Sequence, residues 1–276
     1  MPTILITGAG SGMGRELAHR AASRGDRVIA ALLPGERCGL EGNPAVSIIT
    51  MDVGDDASVE AGFANAQLSE SGLDCVVHCA GISPSGAVEV EPLDTLRHAL
   101  NVNTVGSARV LRQALPLIRP THGRIILFAS LWGRVGGPML SAYCASKHAI
   151  EAIVDSARRE TRGQGIDIIL IEPGVVRTNM VEQTVTGSRS GANSLPERYR
   201  ALYGDLYQKF ARMIDRESTG GVSVEEAADV IEQAMFAARP RTRYRVGKDA
   251  KAVIALASLL PDRALDGVFR KMLDRQ

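Results

Sequence analysis

Tyr143 and Lys147 are the two side chains of this sequence best suited to acid–base chemistry. They lie four positions apart, at the start of a segment whose apolar residues recur at helical spacing, so a helix is predicted over 148–162. Residues four apart on a helix share one face. A phenol has an ordinary pKa of about 10, and we expect the Lys147 ammonium to lower the pKa of Tyr143 by favouring the phenolate. The pair is a candidate general acid/base, although this spacing also occurs by chance on many helices.

A glycine-rich stretch from Gly8 to Gly14 forms a second candidate site. It follows an apolar strand predicted over 2–7 and precedes a helix predicted over 15–24. Glycine permits a tight turn and lets a phosphate approach the backbone, and the free N–H groups of a helix N-terminus attract anions. This context favours the pyrophosphate site of a dinucleotide over a plain flexible loop.

The rest of the chain alternates between strand and helix patterns. Further strands are predicted over 27–33, 46–51, 73–79, 125–129, 167–171 and 241–246, and further helices over 55–68, 92–118 and 223–239. The alternation predicts an α/β fold with a doubly wound parallel sheet of about seven strands, Rossmann-like, in three α/β/α layers. Such sheets bind ligands at the carboxyl ends of their strands. Small or polar residues stand at these ends, namely Asp52, Val53, Ala80, Gly81, Ser130, Pro173 and Gly174.

Asn103 lies within the long helix predicted over 92–118. Asparagine is mildly unfavourable inside a helix, because its side chain competes for backbone hydrogen bonds. An exposed helix face would explain it, but Asn103, followed by Gly106, is the residue of this helix that we expect to be functional.

The residues over 175–216 show the least regular pattern and include Gly191 and Gly204. We expect this region to form a substrate lid over the strand ends. Its tyrosines at 199, 203 and 207 would share one helix face, which suits packing as well as ligand contact. The C-terminal tail over 248–276 is predicted to be helical, and its apolar run over 252–260 suits core packing, then a subunit contact, then a membrane-surface contact.

Composition limits the function further. A chain of 276 residues with a net charge of +1 suits a single domain, 1–276, and gives no reason to expect a nucleic-acid partner. No apolar run approaches the roughly 20 residues of a membrane span, and we expect no signal peptide.

Four arginines alternate over 239–245 and suit a solvated edge or salt bridges. The cysteines form no CxxC pair, and Cys75 and Cys79 would face away from His78 on a strand, so we expect no metal site and a cytoplasmic location.

Several motifs occur together in one order: Thr7-Gly8-x-x-x-Gly12-x-Gly14, Asp52, Ala80-Gly81, Asn103, Ser130, Tyr143-x-x-x-Lys147 and Pro173-Gly174-x-x-x-Thr178. This combination resembles the short-chain dehydrogenase/reductase family over residues 3 to about 180. At a less specific level, the stretches 133–147 and 241–247 are similar to the branch of retinol and hydroxysteroid dehydrogenases.

The resemblance implies a role for each catalytic candidate. Tyr143 would be the general acid/base, Lys147 would lower its pKa and bind the nicotinamide ribose, and Ser130 would hydrogen-bond the reacting oxygen. Asn103 would hold a water-linked proton path together with Lys147. The implied cofactor-binding residues are Gly8, Ser11, Gly12, Met13, Gly14, Asp52, Val53, Ala80, Gly81, Tyr143, Lys147, Pro173, Gly174 and Thr178.

Two departures from the family pattern bear on cofactor and geometry. The family usually carries Asn-Asn-Ala-Gly where this chain has His78-Cys79-Ala80-Gly81, so we expect the asparagine side-chain contribution to the central sheet to be lost. The second strand ends in Leu32 and Leu33, where an acidic residue would hold the ribose hydroxyls of NAD. The resemblance implies NAD(P) as the cofactor, these residues leave the choice between NAD and NADP open, and NADP is slightly favoured because an acidic residue is absent and Arg37 is near.

The function implied is an NAD(P)-dependent oxidoreductase that interconverts a secondary alcohol and a ketone, or a primary alcohol and an aldehyde, on a fairly apolar small molecule. The alternative is a catalytically silent dinucleotide-sensing regulator or scaffold on the same fold. The resemblance also implies a homodimer or homotetramer in which helices around 92–118 and 141–162 pack across subunits.

Overall fold

A seven-stranded parallel sheet forms the centre of the protein in the computed structural model, which describes residues 1–66 and 72–275. The strands are β1 Thr3–Thr7, β2 Arg27–Leu32, β3 Val46–Thr50, β4 Cys75–His78, β5 Arg124–Phe128, β6 Asp167–Pro173 and β7 Arg243–Val246. Their spatial order is β3-β2-β1-β4-β5-β6-β7, and every neighbouring pair is parallel. The predicted fold class is confirmed.

Helices cover both faces of the sheet. They are α1 Gly12–Ser23, α2 Asp56–Ala64, α3 Leu93–Ala99, α4 Gly106–Ile118, α5 Ser141–Glu160, α6 Asn179–Ser194, α7 Glu197–Gly220, α8 Val224–Phe236, α9 Lys248–Leu259 and α10 Asp262–Asp274. Asp55 and Ser223 begin α2 and α8 by accepting hydrogen bonds from backbone N–H groups, as N-cap residues do. The predicted end of the second helix at Leu68, and Gln276 at the end of the tail, lie outside the described residues.

The three layers follow from the alternation of side chains along the buried strands. On β1, Ile4 and Ile6 pack against α1 and α8, whereas Leu5 packs on the opposite side against α2, α4 and α5. All five residues of β1 are buried. Parallel strands covered on both faces need such continuous apolar runs, which explains why the sequence predicts them well.

The strand order reverses at β1. The chain leaves β1 for β2 and β3 on one side, and it returns to β4 and β5 on the other. In open α/β sheets a ligand binds in the crevice at such a reversal, outside the carboxyl ends of the strands. The glycine-rich stretch after β1 and the Ala80-Gly81 pair after β4 both lie at this crevice.

The region over 175–216 is the main correction to the sequence-based expectations. It is regular, because α6 and α7 form two long helices separated by the short break at Leu195 and Pro196. Gly191 does not interrupt α6. Its missing side chain allows α7 to approach, since a Cβ there would lie 2.8 Å from Cε1 of Tyr207.

The three tyrosines of α7 share one face, as predicted, and two of them serve packing. The Tyr207 hydroxyl accepts a hydrogen bond from the backbone N–H of Ala87 at 3.2 Å, and the Tyr203 hydroxyl donates one to Glu89 at 2.6 Å. These bonds attach α7 to the segment that follows β4. They therefore fix the position of α7 relative to that segment.

The C-terminal tail is helical, as predicted, and packs on the same region. Phe269 of α10 lies with its ring centroid 5.8 Å from that of Trp132, and Arg216 of α7 donates hydrogen bonds to the last carbonyl groups of the tail. Within the predicted apolar run, Ile254 is buried whereas Leu259 is exposed. In the described ranges, no helix combines the length and apolar character needed to cross a membrane.

Candidate active site

The glycine-rich turn has the backbone geometry that a phosphate site requires. Gly8 and Gly12 adopt positive φ angles of 65° and 50°, a region that L side chains rarely enter. A Cβ on Gly8 would lie 2.9 Å from the backbone nitrogen of Ala80, and a Cβ on Gly14 would collide with the carbonyl oxygen of Gly8. The turn therefore lies tightly against β4 and presents the N-terminus of α1 to the crevice.

A cavity of about 310 Å³ extends from this turn along the crevice. Ten of the predicted cofactor residues line it: Gly8, Ser11, Gly12, Met13, Gly14, Asp52, Val53, Ala80, Gly81 and Thr178. Glycine backbone that a ligand can approach closely and the N-terminus of a helix fit a dinucleotide well. As individual cofactor contacts, these residues stay predictions.

Glu36 is a cavity residue that the sequence analysis did not single out. Its Oε2 accepts a hydrogen bond from the backbone N–H of Leu33 at 3.1 Å, and the carboxylate lies beside Gly10 in the glycine turn. Glu36 and Leu33 line the cavity, whereas Arg37 is not among its lining residues. The turn that follows β2 is the sequence feature that points to Glu36. This turn brings the Glu36 carboxylate back to the end of the strand, at Leu33.

A second cavity of about 120 Å³ adjoins the first and contains the candidate catalytic side chains. Ser130 follows β5, Tyr143 and Lys147 belong to the first two turns of α5, and all three line this cavity. Pro173 and Gly174, which end β6, line it as well. The backbone N–H of Val175 donates a hydrogen bond to Asp249 at 2.6 Å, which holds the loop after β6 in place.

The pKa of Tyr143 differs from the sequence-based expectation. Burial raises the pKa of Tyr143 to about 12, and a hydrogen bond with Ser130 opposes that rise. We expected the Lys147 ammonium to lower this pKa below the ordinary value. In the structure burial outweighs any such effect, because a buried phenolate loses its hydration.

Lys147 is buried, with 6% of its surface exposed, whereas Tyr143 is half-buried. Its Nζ donates a hydrogen bond to the carbonyl oxygen of Phe128 at 2.8 Å and lies 5.7 Å from the centroid of the Tyr143 ring. Burial lowers the pKa of Lys147 to about 8. Lys147 is therefore mostly protonated at neutral pH, but its pKa lies close enough to that pH for a modest rise in pH to remove the charge.

Asn103 lies behind the cavity wall rather than in it, at a π-helical turn over Leu100–Val105 between α3 and α4. Its side-chain amide exchanges hydrogen bonds with the backbone N–H and carbonyl of Ile82 at 2.8 and 2.9 Å, and it donates another to Ser146 at 2.9 Å. Ser146 in turn donates to the carbonyl oxygen of Tyr143 at 2.7 Å. Asn103 therefore connects one wall of the cavity to the catalytic helix, and π-helical turns often occur at functional sites.

His78 is a second residue that sequence reasoning undervalued. It is buried at the end of β4, with its Nδ1 2.7 Å from the Thr7 hydroxyl and its Nε2 3.1 Å from the Ser107 hydroxyl. His78 therefore makes side-chain contacts of its own at the position where the family usually has asparagine. Cys75 and Cys79 face the other side of the sheet, as predicted.

The remaining wall of the catalytic cavity is largely apolar and comes from several elements. Its apolar side chains include Ile82, Trp132, Leu140, Val176, Val181 and Ile214. Among the described lining residues, Lys147 alone is charged. The arrangement suits an uncharged, apolar molecule whose single polar group meets Ser130 and Tyr143.

Comparison with known proteins identifies the family of this chain. The sequence pattern of the family described as short chain dehydrogenase matches residues 2–188. Human 17-beta-hydroxysteroid dehydrogenase type 6 is 32% identical over 278 residues, which cover 97% of this chain and 87% of that protein. Rat retinol dehydrogenase 7 is 32% identical over 281 residues, which cover 96% and 87% of the two chains.

A solved structure supports the fold. The crystal structure of a short chain dehydrogenase from Burkholderia cenocepacia in complex with NADP has a TM-score of 0.75, with 20% identity, and covers 99% of this chain and 98% of that one. The protein is therefore an oxidoreductase that acts on CH–OH groups, and the chain belongs to the short-chain dehydrogenase family, in the branch of the retinol and hydroxysteroid dehydrogenases.

Proposed function

We propose that this protein uses a nicotinamide dinucleotide to interconvert a secondary alcohol and a ketone on a small, apolar substrate. One observation carries the proposal: Ser130, Tyr143 and Lys147 line a single cavity that adjoins the cavity of the glycine turn. A reacting carbon between the two would meet the cofactor on one side and proton donors on the other. A primary alcohol and its aldehyde would satisfy the same arrangement.

The bound cofactor supplies or accepts the hydride. The side chains of the protein move the proton. In reduction the Tyr143 hydroxyl donates its proton to the carbonyl oxygen, and its raised pKa keeps the phenol protonated at neutral pH. The Ser130 hydroxyl donates a hydrogen bond to the same oxygen and stabilises the charge that develops there.

Lys147 has a binding role that follows from its contacts. Its ammonium carries three protons, and one of them is donated to the carbonyl of Phe128. The other protons are available to ribose hydroxyl groups at the junction of the two cavities. The positive charge would also favour the phenolate that forms when Tyr143 gives up its proton.

The side-chain environment supports an apolar substrate of limited size. The catalytic cavity has a volume of about 120 Å³, and its walls away from Ser130 and Tyr143 are mostly hydrocarbon. A carboxylate or phosphate on the substrate would lose its hydration there without gaining a described partner other than Lys147. We therefore propose uncharged ketones and alcohols as the substrate class.

Substitution of Tyr143 tests the mechanism. Tyr143→Phe removes the proton donor, and we expect kcat to fall by about a hundredfold or more, while the Kd of the cofactor stays within about twofold. Turnover would be followed by nicotinamide absorbance with a panel of ketones and alcohols. Tyr244→Phe is the matched control, because the Tyr244 hydroxyl accepts a hydrogen bond from the backbone of Arg241, outside both cavities.

Two outcomes would contradict this proposal. Turnover retained in Tyr143→Phe would exclude the assigned role of the phenol. Tight cofactor binding without turnover of any ketone or alcohol by the unaltered protein would favour the alternative, a dinucleotide-sensing regulator or scaffold. The complete set of Ser130, Tyr143 and Lys147 supports the enzyme, because a sensor has no chemical need for it.

The choice between NAD and NADP depends on Glu36 and Arg37. The sequence favours NADP because of Arg37, but the carboxylate that lines the cavity belongs to Glu36. A carboxylate at this place accepts hydrogen bonds from free ribose hydroxyls and repels a 2′-phosphate. The geometry therefore supports NAD, in opposition to the sequence-based preference.

Two charge-neutralising variants separate these preferences. If the Glu36 carboxylate disfavours NADP, Glu36→Gln should lower the Kd of NADPH by roughly tenfold, and Arg37→Gln should have little effect. If Arg37 binds the 2′-phosphate, Arg37→Gln should weaken NADPH binding instead. Fluorescence titration with NADH and NADPH measures both.

A further inference from the structure

His78 lies in an unbroken line of buried hydrogen bonds. The backbone N–H of Ala80 donates to the Thr7 hydroxyl at 3.3 Å, and the Thr7 hydroxyl lies 2.7 Å from Nδ1 of His78. On the other side of the ring, Nε2 lies 3.1 Å from the Ser107 hydroxyl, which donates to the carbonyl oxygen of Asn103 at 2.5 Å. Thr7, His78, Asn103 and Ser107 are each at most 2% exposed.

The direction of every bond in this line follows from the one at Asn103. A carbonyl oxygen can only accept, so the single proton of the Ser107 hydroxyl points to Asn103. The Ser107 oxygen must then accept from His78, which places a proton on Nε2. In a neutral imidazole the other nitrogen is an acceptor, and the Thr7 hydroxyl fills that role by donating to Nδ1. The line is therefore complete for one tautomer of neutral His78.

A protonated His78 would break this arrangement. Both ring nitrogens would then be donors, and the Thr7 hydroxyl would have to turn its own proton elsewhere while still accepting from Ala80. The surroundings agree with a neutral ring, because burial and the charge of Lys147 lower the pKa of His78 to about 3.

The two ends of the line lie on the two halves of the site. Ala80 lines the cofactor cavity, and Thr7 is the last residue of β1 before the glycine turn. At the other end, Asn103 holds Ile82 and Ser146 by its side chain, and Ser146 bonds to the backbone of Tyr143. Both walls are thus connected through a single imidazole ring.

We propose that His78, in its neutral Nε2–H form, is a positioning residue. It holds the glycine-rich turn after β1 and the π-helical turn that contains Asn103 in the relative position that hydride and proton transfer require. The proposal rests on the proposed function for its kinetic consequence. Its structural part, the tautomer and the bonding of the ring, can be tested without any substrate.

The first experiment observes the ring directly in the unaltered protein. We expect ¹⁵N NMR of histidine-labelled protein to show one ring that stays neutral, with its proton on Nε2, between about pH 5 and 8. His78→Asn identifies that signal among the five histidines by its disappearance. A His78 ring that titrates in this range, or that carries its proton on Nδ1, would overturn the proposal even if the enzyme had no detectable turnover.

The second experiment measures coupling along the line by kinetics. Ser107→Ala and His78→Leu should each lower kcat by about tenfold, whereas the KM of the ketone should change by less than about twofold. Because both break the same connection, the double variant should lose about tenfold rather than a hundredfold. His78→Asn, whose amide can both donate and accept, should recover part of the loss.

A matched control separates this positioning role from general damage. The Thr161 hydroxyl donates a hydrogen bond to the carbonyl of Ala157, four residues earlier, near the end of α5. The Ser107 hydroxyl makes the same kind of bond to the carbonyl of Asn103, four residues earlier, at the start of α4. Thr161→Val should therefore leave kcat unchanged. Equal losses in Thr161→Val and Ser107→Ala, fully additive losses in the double variant, or unchanged kcat in folded His78→Leu and Ser107→Ala proteins would each overturn the proposal.

Discussion

The cavity along the glycine-rich turn (the cofactor cavity) and the cavity that contains Ser130, Tyr143 and Lys147 (the catalytic cavity) share several lining residues. They differ in the kind of residue that forms the rest of their walls. The first is lined by five glycine or alanine residues after β1 and β4, whose small side chains leave main-chain atoms close to its surface, namely Gly8, Gly12, Gly14, Ala80 and Gly81. The second is lined by bulky apolar residues, among them Trp132, Leu140 and Ile214, which come from helices and loops outside the sheet. A dinucleotide phosphate is held by N–H groups, whereas an apolar substrate is held by shape. The two cavities should therefore respond differently to small substitutions.

The largest effect is expected where backbone is packed against backbone. Gly14→Ala places a methyl group against the carbonyl of Gly8, and Gly8 itself lies against the backbone of Cys79 and Ala80, directly after β4. Overpacking of this kind costs about 1–3 kcal/mol, so we expect cofactor binding to weaken by roughly ten- to a hundredfold. Isothermal titration with NADH and NADPH would measure the loss.

The control for Gly14→Ala is Gly267→Ala in α10. A Cβ at Gly267 has open space around it, and alanine favours a helix. Cofactor binding should therefore be unchanged in Gly267→Ala. Equal binding by Gly14→Ala and the unaltered protein would show that the turn is more adaptable than its close contacts indicate.

A smaller and more selective effect is expected in the catalytic cavity. Trp132→Ala removes part of the side-chain wall, so the KM of a small ketone should rise by about tenfold. The kcat/KM of larger ketones should increase relative to that of the small ketone. Cofactor affinity should not change, because Trp132 does not line the cofactor cavity. Phe269→Ala, which removes the ring behind Trp132, should shift preference in the same direction but less. Steady-state kinetics with a series of ketones of increasing length would reveal the shift.

The same contrast explains which features could be predicted from sequence. The strands, the glycine turn and the residues at the strand ends follow from local patterns, and ten of the predicted cofactor residues indeed line one cavity. Backbone geometry is encoded locally, because a position such as Gly8 with a φ of 65° demands glycine regardless of what lies elsewhere.

Features that depend on distant packing were missed. The helices α6 and α7 were expected to be irregular, since Gly191 lowers helix propensity and its packing reason, Tyr207, is remote in sequence. The pKa of Tyr143 was expected to fall because Lys147 is near, but burial, which spacing does not reveal, raises it to about 12. The bonds of His78 to Thr7 and Ser107 likewise appear only once β1, β4 and α4 are assembled.

The smallest effect is expected where α6 packs on α7, because side-chain packing and helix propensity oppose each other there. Gly191→Ala brings a methyl group within 2.8 Å of the Tyr207 ring and separates α6 from α7, but alanine also favours the helix by about 1 kcal/mol. We therefore expect a net loss of about 1 kcal/mol in unfolding free energy, and a rise in ketone KM of about threefold.

Gly187→Ala supplies the reference for that measurement. Gly187 lies one turn earlier in α6 and has open space for a Cβ, so alanine there should stabilise the protein through propensity alone. The difference between the two variants in urea unfolding isolates the contact with Tyr207. If both variants were stabilised equally, α6 and α7 would not be closely packed at Gly191, and the part of the cavity wall that these two helices supply, which includes Val181 and Ile214, would be less rigid than its contacts indicate.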